Sequence, residues 1–103
     1  MKVIIEELVH QSILEFYVIS MRLHPSLEEE VIMAKIERLT GAMSDLGKHP
    51  FIYADARLKK SWVDAGYKET IVEDFHIAYK VETDEDGEQY VAVYDAVHSK
   101  LYY

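Results

Sequence analysis

Apolar and polar positions along the chain follow two different periods, and the change between them divides the sequence into two parts. After the short apolar run from Val3 to Ile5, residues 6–23 lack Gly and Pro and carry apolar side chains at i, i+4 and i+7 spacing. This pattern predicts a short β-strand followed by a helix. The apolar arc of the helix covers more than one face, so we expect it to contact both a sheet and a second helix.

A second helix is predicted to begin at Ser26, directly after His24-Pro25. Ser26 and Glu29 have the spacing of a capping box, in which each side chain satisfies a backbone amide at the helix start. Gly47 supplies the stop. Between these points apolar residues recur at steps of three and four, at Ile32, Ile36, Leu39, Met43 and Leu46. The two helices form a hairpin, and three heptads are too few to favour a coiled coil.

After Pro50 the sequence contains runs rich in β-branched and aromatic residues, which are typical of β-strands. These runs predict strands over Tyr67 to Glu73, Phe75 to Val81 and Tyr90 to Val97. Asp86-Gly87 is a two-residue hairpin signal between the last two runs. The predicted order is one strand, two helices and an antiparallel sheet of three further strands. We therefore predict a single α+β domain over residues 1–103.

Strand alternation sets the expected faces of the sheet. If alternate residues from Phe75 to Val81 face the helices, His76 faces outward. A two-residue turn would pair His76 with Val97 and Phe75 with His98, which places the two histidines on opposite faces. A turn one residue longer would exchange the faces of the last strand. The expected core residues are Ile13, Phe16, Tyr17, Ile36, Leu39, Met43, Ile77, Tyr79, Val91 and Val93.

Charge and composition narrow the function classes. The formal net charge is -8, whereas a protein that grips nucleic acid usually carries positive charge, so general nucleic-acid affinity is disfavoured. The absence of Cys excludes disulfides and thiolate chemistry within the chain. The apolar run at Val3 is too short for a signal peptide or a membrane span, so we expect a cytoplasmic protein without membrane association.

Two local clusters suggest binding chemistry. The acidic hairpin around Asp84 and Gly87 fails as a calcium loop, because Val93 stands where a bidentate Glu is required. Arg57, Lys59, Lys60 and Lys68 lie within twelve residues, interleaved with aromatic side chains, as in sites for single-stranded nucleic acid. The commoner interpretation of such a cluster is a solvated surface beside a Trp that belongs to the core.

The segment "PFIYADARLKKSWVDAGYKETIVEDFHIAYKV", continuing into "VAVYDAVHSK", carries a resemblance to a known family. Its pieces are Arg57-Leu58, the Gly before a strand at Gly66, the aromatic-x-apolar-x-Tyr strand from Phe75 to Tyr79, and the strand end at Val97-His98. With the order of elements, these resemble the RelE/ParE superfamily, the toxins of bacterial type II toxin-antitoxin pairs. One departure is that His76 stands where that family has an arginine.

The resemblance implies a toxin that is neutralised by a small cognate antitoxin and acts either by cleaving messenger RNA on the ribosome or by binding DNA gyrase. For a metal-independent ribonuclease without cofactors, the resemblance implies His76, His98, Arg57 and Tyr102 as catalytic residues. Lys59, Lys60 and Lys68 are the expected substrate-binding residues. A homodimer is left open. The alternative is a protein-interaction module that retains the fold without the toxicity.

Overall fold

The computed structural model describes residues 1–102, which form a pair of helices packed on one face of a sheet. The elements are, in chain order, β1 (Lys2–Ile5), α1 (Glu7–Leu23), α2 (Glu29–Asp45), α3 (Lys60–Ala65), β2 (Lys68–Val72), β3 (Phe75–Thr83), β4 (Gln89–His98) and a terminal 3-10 turn (Ser99–Leu101). The α+β class is confirmed. The short helix α3 is an element that the sequence pattern did not predict.

The sheet formed by residues 1–102 has four strands in the order β1-β4-β3-β2. β2, β3 and β4 are antiparallel neighbours, as predicted. β1 completes the sheet by pairing in parallel with β4, with Val3 opposite Val91. This arrangement makes β3 and β4 the central strands, and three consecutive residues in each are buried, Ile77 to Tyr79 and Val91 to Val93.

The main core lies between the helices and the sheet. It contains eight of the ten residues expected from the sequence in fully buried positions, and Phe16 and Ile36 pack against it half-buried. Val91 and Val93 are both completely buried, which confirms the predicted inward face of β4. Part of the broad apolar arc of α1 is exposed instead of covered, including Leu14, Val18 and Leu23.

The predicted start of the second helix is wrong. α2 begins at Glu29, and among the described residues the side chain of the preceding Glu28 makes no capping hydrogen bond. Residues before it form a turn in which the amide of Leu27 donates to the carbonyl of His24 at 3.0 Å. Ser26 thus lies outside the helix, and within residues 1–102 its hydroxyl makes no hydrogen bond to the first amides of α2. Glu29 and Glu30 in the first turn stabilise the positive helix end instead.

Gly47 acts at the end of α2 through close approach. A methyl group built on Gly47 would overlap the carbonyl oxygen of Met1 and lie 2.9 Å from Cγ2 of Val3. The N-terminal ammonium of Met1 also donates to the Gly47 carbonyl at 3.1 Å. Gly47 is therefore needed for β1 to pass beside the helix end, whereas the helix itself ends in right-handed conformation at Leu46.

The turn between β3 and β4 is longer than predicted, so the strand pairing next to it is offset by one residue from the predicted register, which is regained only beyond a bulge. Thr83 pairs with Gln89, and the carboxylate of Asp84 accepts the amides of Asp86 and Glu88 at 2.9 Å each. A bulge after Ala78 then shifts the register by one residue. Phe75 pairs with His98 and His76 with Val97, so the two histidines lie on opposite faces, as expected.

Candidate functional site

The face of the sheet opposite α1 and α2 is covered by the segment that follows α2. The amide of Ala56 donates to the carbonyl of Tyr67 at 2.9 Å, which holds this segment against β2. α3 buries Trp62 against the sheet, and its indole nitrogen donates to Asp95 at 3.1 Å. Trp62 is thus a core residue, so it offers no stacking surface for a base. Tyr102 joins this second buried cluster.

His76 lies at the margin of this second cluster, where it is held by two partners. Its Nδ1 atom lies 2.9 Å from Oε2 of Glu69, and its ring is stacked on the ring of Tyr102. The hydroxyl of Tyr102 donates to Oε1 of the same Glu69 at 2.6 Å. The His76 side chain is only 12 % exposed and that of Glu69 is 16 % exposed. His76 thus faces away from the helices, as predicted, but it is not open to solvent, because Tyr102 and β2 enclose it.

A cleft of about 520 Å³ opens beside this arrangement, lined by Leu58, Lys59, His76, Ser99 and Tyr102. The ammonium group of Lys59 lies 6.0 Å from the ring centroid of Trp62, at a distance at which a cation is attracted to an aromatic face. The cleft thus combines one imidazole with one positive charge. An imidazole can transfer a proton during reaction at a phosphate, and a lysine ammonium group can stabilise the negative charge that develops on the phosphate oxygens.

Tyr102 remains a neutral phenol in this site. Burial, together with the hydrogen bond to Glu69, raises the pKa of Tyr102 to about 12. A backbone hydrogen bond with Lys59 acts in the opposite direction on this pKa and is the smallest influence. Near neutral pH the phenol therefore already holds its proton, and it cannot accept another. Any proton-moving role of Tyr102 is limited to donation.

His98 is placed on the helix side of the sheet, away from the His76 cleft. Its ring stacks on Phe16 with centroids 4.1 Å apart, and Nδ1 accepts the amide of Lys100 at 3.2 Å. Burial lowers the pKa of His98 below its usual value. Because the sheet separates His98 from His76, the structure does not bring these two predicted site residues together.

The predicted cations divide into two groups. Lys60 pairs with Asp64 at 2.7 Å, and Lys68 pairs with Asp55 at 3.1 Å, so the charges of both lysines are balanced locally. Arg57 makes no ion pair with any residue in 1–102 and lines a second cleft of about 710 Å³. This second cleft adjoins the first, because Leu58 lines both. Arg57 and Lys59 are therefore the predicted cations that flank the His76 site.

Glu69 is the site residue that sequence reasoning missed. The β2–β3 connection is a two-residue turn at Glu73-Asp74, and both residues have positive φ, of 49° and 67°. This turn places Ile71 directly opposite His76. Glu69 lies two residues before Ile71 in β2, so its side chain is on the same face of the sheet as His76. A two-residue hairpin turn with positive φ at both positions usually has the sequence Asn-Gly or Asp-Gly. Because Glu73-Asp74 is not a typical turn sequence, the β2–β3 register that brings Glu69 to His76 could not be predicted from the sequence.

Comparisons with known proteins identify no relative, since no protein family, curated protein or solved structure matches the chain. Within residues 1–102, His, Asp and Glu side chains nowhere converge in a group of three that could hold a metal ion. No helix in the described part of the chain is both long enough and apolar enough to cross a membrane.

Proposed function

We propose that this protein is a RelE/ParE-type toxin that cleaves messenger RNA on the ribosome without a metal and is neutralised by a small antitoxin. The observation that carries the proposal is the cleft in which His76 lies beside Lys59, with its Nδ1 atom engaged by Glu69. The order of β1, two long helices and three antiparallel strands supports the proposal, although the short helix α3 stands between α2 and β2.

The chemistry that fits this cleft is attack of a ribose 2′-hydroxyl on its own 3′-phosphate. His76 takes the proton of the hydroxyl, the new O2′–P bond forms, and the P–O5′ bond breaks. The 5′-oxygen leaves with a proton supplied by solvent or a second acid, so the products are a 2′,3′-cyclic phosphate and a 5′-hydroxyl. Lys59 and Arg57 stabilise the extra negative charge that develops on the phosphate oxygens.

The net negative charge of the chain favours a substrate that is already bound by the ribosome over free RNA. With a net charge of -8 the chain repels a free polyanion, and two flanking cations replace only a few counterions. A ribosome that already holds the messenger removes the need for the protein to bind RNA strongly by itself. We therefore expect cleavage of ribosome-bound messenger and weak, strongly salt-dependent binding of free RNA.

The test is inducible expression in bacteria, with growth and messenger integrity measured together. Wild type should arrest growth and produce messenger ends that primer extension detects, and His76→Ala should abolish both effects. His49→Ala, at an exposed loop histidine, is the matched control and should behave as wild type. Growth arrest with intact messenger and inhibited DNA supercoiling would instead assign a gyrase-directed toxin and would refute the ribonuclease.

An interaction module without toxicity is the second candidate, and a separate surface favours it. A groove of about 580 Å³ runs between α1 and the end of β4, with Phe16, Ile19, Leu23 and Leu101 among its lining residues. Ile19, Leu23 and Leu101 are each exposed by 45 % or more, so the groove offers apolar area to a partner. Unimpaired growth on expression of folded wild-type protein would favour this module over the toxin.

A further inference from the structure

The carboxylate of Glu69 is shared by two neighbours. Oε1 accepts the hydroxyl of Tyr102 at 2.6 Å, and Oε2 lies 2.9 Å from Nδ1 of His76. An ionised carboxylate can only accept hydrogen bonds, whereas a neutral imidazole has one N–H group and one bare nitrogen. Against an ionised carboxylate the proton in the Glu69–His76 contact is therefore carried by Nδ1, and in the neutral ring Nε2 is then the bare nitrogen.

We infer that Glu69 is a positioning residue that holds neutral His76 in the Nδ1–H tautomer and leaves Nε2 as the basic nitrogen at the cleft. The role of this nitrogen in catalysis rests on the proposed function, whereas the tautomer itself follows from the contacts alone. Without such a partner a histidine in water exchanges between both tautomers, and the tautomer with Nε2–H has its lone pair on Nδ1, so Nε2 cannot take a proton from the substrate.

The stack of His76 on Tyr102 completes this arrangement. The two ring planes are 4° apart, so the imidazole cannot turn about its Cβ–Cγ bond without displacing the phenol. The Tyr102 hydroxyl fixes the carboxylate of Glu69 from the other side. After proton transfer Nε2 also carries a proton, and the charge of Glu69 then stabilises the imidazolium that has formed.

Glu69→Gln makes a specific change that can be predicted from the same contacts. We expect the amide oxygen of Gln to take the place of Oε1 and accept the Tyr102 hydroxyl, as the carboxylate does in the wild type. The amide NH₂ group then faces Nδ1 of His76 and needs an acceptor there. Glu69→Gln should therefore reverse the tautomer, so that Nδ1 becomes bare and Nε2 carries the proton.

The primary experiment is long-range ¹H–¹⁵N correlation NMR of the imidazole nitrogens in the full chain at pH 8. Wild type should show a protonated Nδ1 in His76, and Glu69→Gln should show a protonated Nε2. Glu82→Gln is the matched control, because Glu82 also accepts a tyrosine hydroxyl, from Tyr94 at 3.0 Å, but does not contact His76. It should leave the His76 tautomer unchanged. Wild-type protein with a protonated Nε2 would overturn the inference even if Glu69→Gln did not fold.

A second readout separates this inference from the proposed function. If ribosome-bound messenger is cleaved, Glu69→Gln should lower kcat by about 100-fold or more with little change in KM, since the general base is then mostly in the wrong tautomer. Retention of full kcat by Glu69→Gln with a reversed tautomer would contradict a positioning role. If wild type cleaves no RNA and yet shows protonated Nδ1, the tautomer assignment stands and the ribonuclease fails.

Discussion

The imidazole ring of His76 lies parallel to the phenol ring of Tyr102, with centroids 3.6 Å apart and 4° between the planes. Tyr102 is buried, and its hydroxyl donates to Glu69, so this one side chain anchors the end of the described chain to the sheet. The two interactions can be separated by substitution, because phenylalanine keeps the ring and loses the hydroxyl.

We expect Tyr102→Phe to lower the free energy of unfolding by about 1–2 kcal/mol, because the hydroxyl loses its hydrogen bonds with Glu69 and with the Lys59 backbone. Tyr102→Ala also removes the buried ring and should cost about 3 kcal/mol or more. Urea denaturation measures both values, and Tyr53→Phe, at an exposed tyrosine, serves as the control. Equal losses for Phe and Ala at position 102 would show that the ring contributes nothing.

Two glycines near the second helix should respond to alanine in opposite directions. Gly47→Ala places a methyl group against the carbonyl of Met1, which forces β1 to move and should destabilise the fold by about 1–3 kcal/mol. Gly41 lies within α2 with nothing within 4 Å of a new methyl group, so Gly41→Ala should stabilise by about 1 kcal/mol. Thermal unfolding of the two variants tests this, and a Gly47→Ala protein as stable as wild type would refute the close approach.

The stacking of His98 on Phe16 predicts a loss of stability in mild acid. Burial lowers the pKa of His98 in the folded state, whereas the unfolded chain has the ordinary histidine value of roughly 6.5. Below that value the unfolded state takes up a proton that the folded state resists. The contribution is therefore fully present above pH 7 and declines as the pH falls through 6.5 toward the lower folded pKa.

Denaturation curves between pH 7.5 and 5.5 measure this dependence. His98→Phe retains an aromatic ring against Phe16 and should reduce the slope of stability against pH. His49→Gln removes an exposed histidine and should leave the slope as it is in wild type. An unchanged slope in His98→Phe would contradict the assignment.

Ser26→Ala should have almost no effect on stability, because Ser26 lies outside α2 and caps no amide of it. A true N-cap serine would cost about 1 kcal/mol on the same substitution. Ser99→Ala is the informative comparison, since its hydroxyl donates to the carbonyl of Asp74 at 2.8 Å. A melting temperature lowered more by Ser26→Ala than by Ser99→Ala would mean that the helix begins earlier.

The register of β3 against β4 shows how sequence reasoning can reach a correct pairing by an incomplete path. A two-residue turn at Asp86-Gly87 predicts Phe75 opposite His98, and this pairing is confirmed. The turn is in fact longer, and the bulge beyond Ala78 leaves Tyr94 without a partner and restores the predicted register. The longer turn offsets the strand pairing by one residue and the bulge reverses this offset, so neither feature can be predicted from the local sequence pattern alone.

By itself the sequence determined the two long helices, the strands and the inward residues of the main core, such as Leu39, Ile77 and Val93, but not the short helix α3. This is possible because an element buried on one side carries apolar residues that repeat every 3.6 positions in a helix and every 2 positions in a strand. Only the tertiary structure decided the surroundings of His76. Glu69 reaches it across a turn without a recognisable signal, and Tyr102 reaches it from 26 positions along the chain. Those contacts depend on strand register and on where the chain end packs, and such long-range pairings leave no periodic trace in the residues that make them.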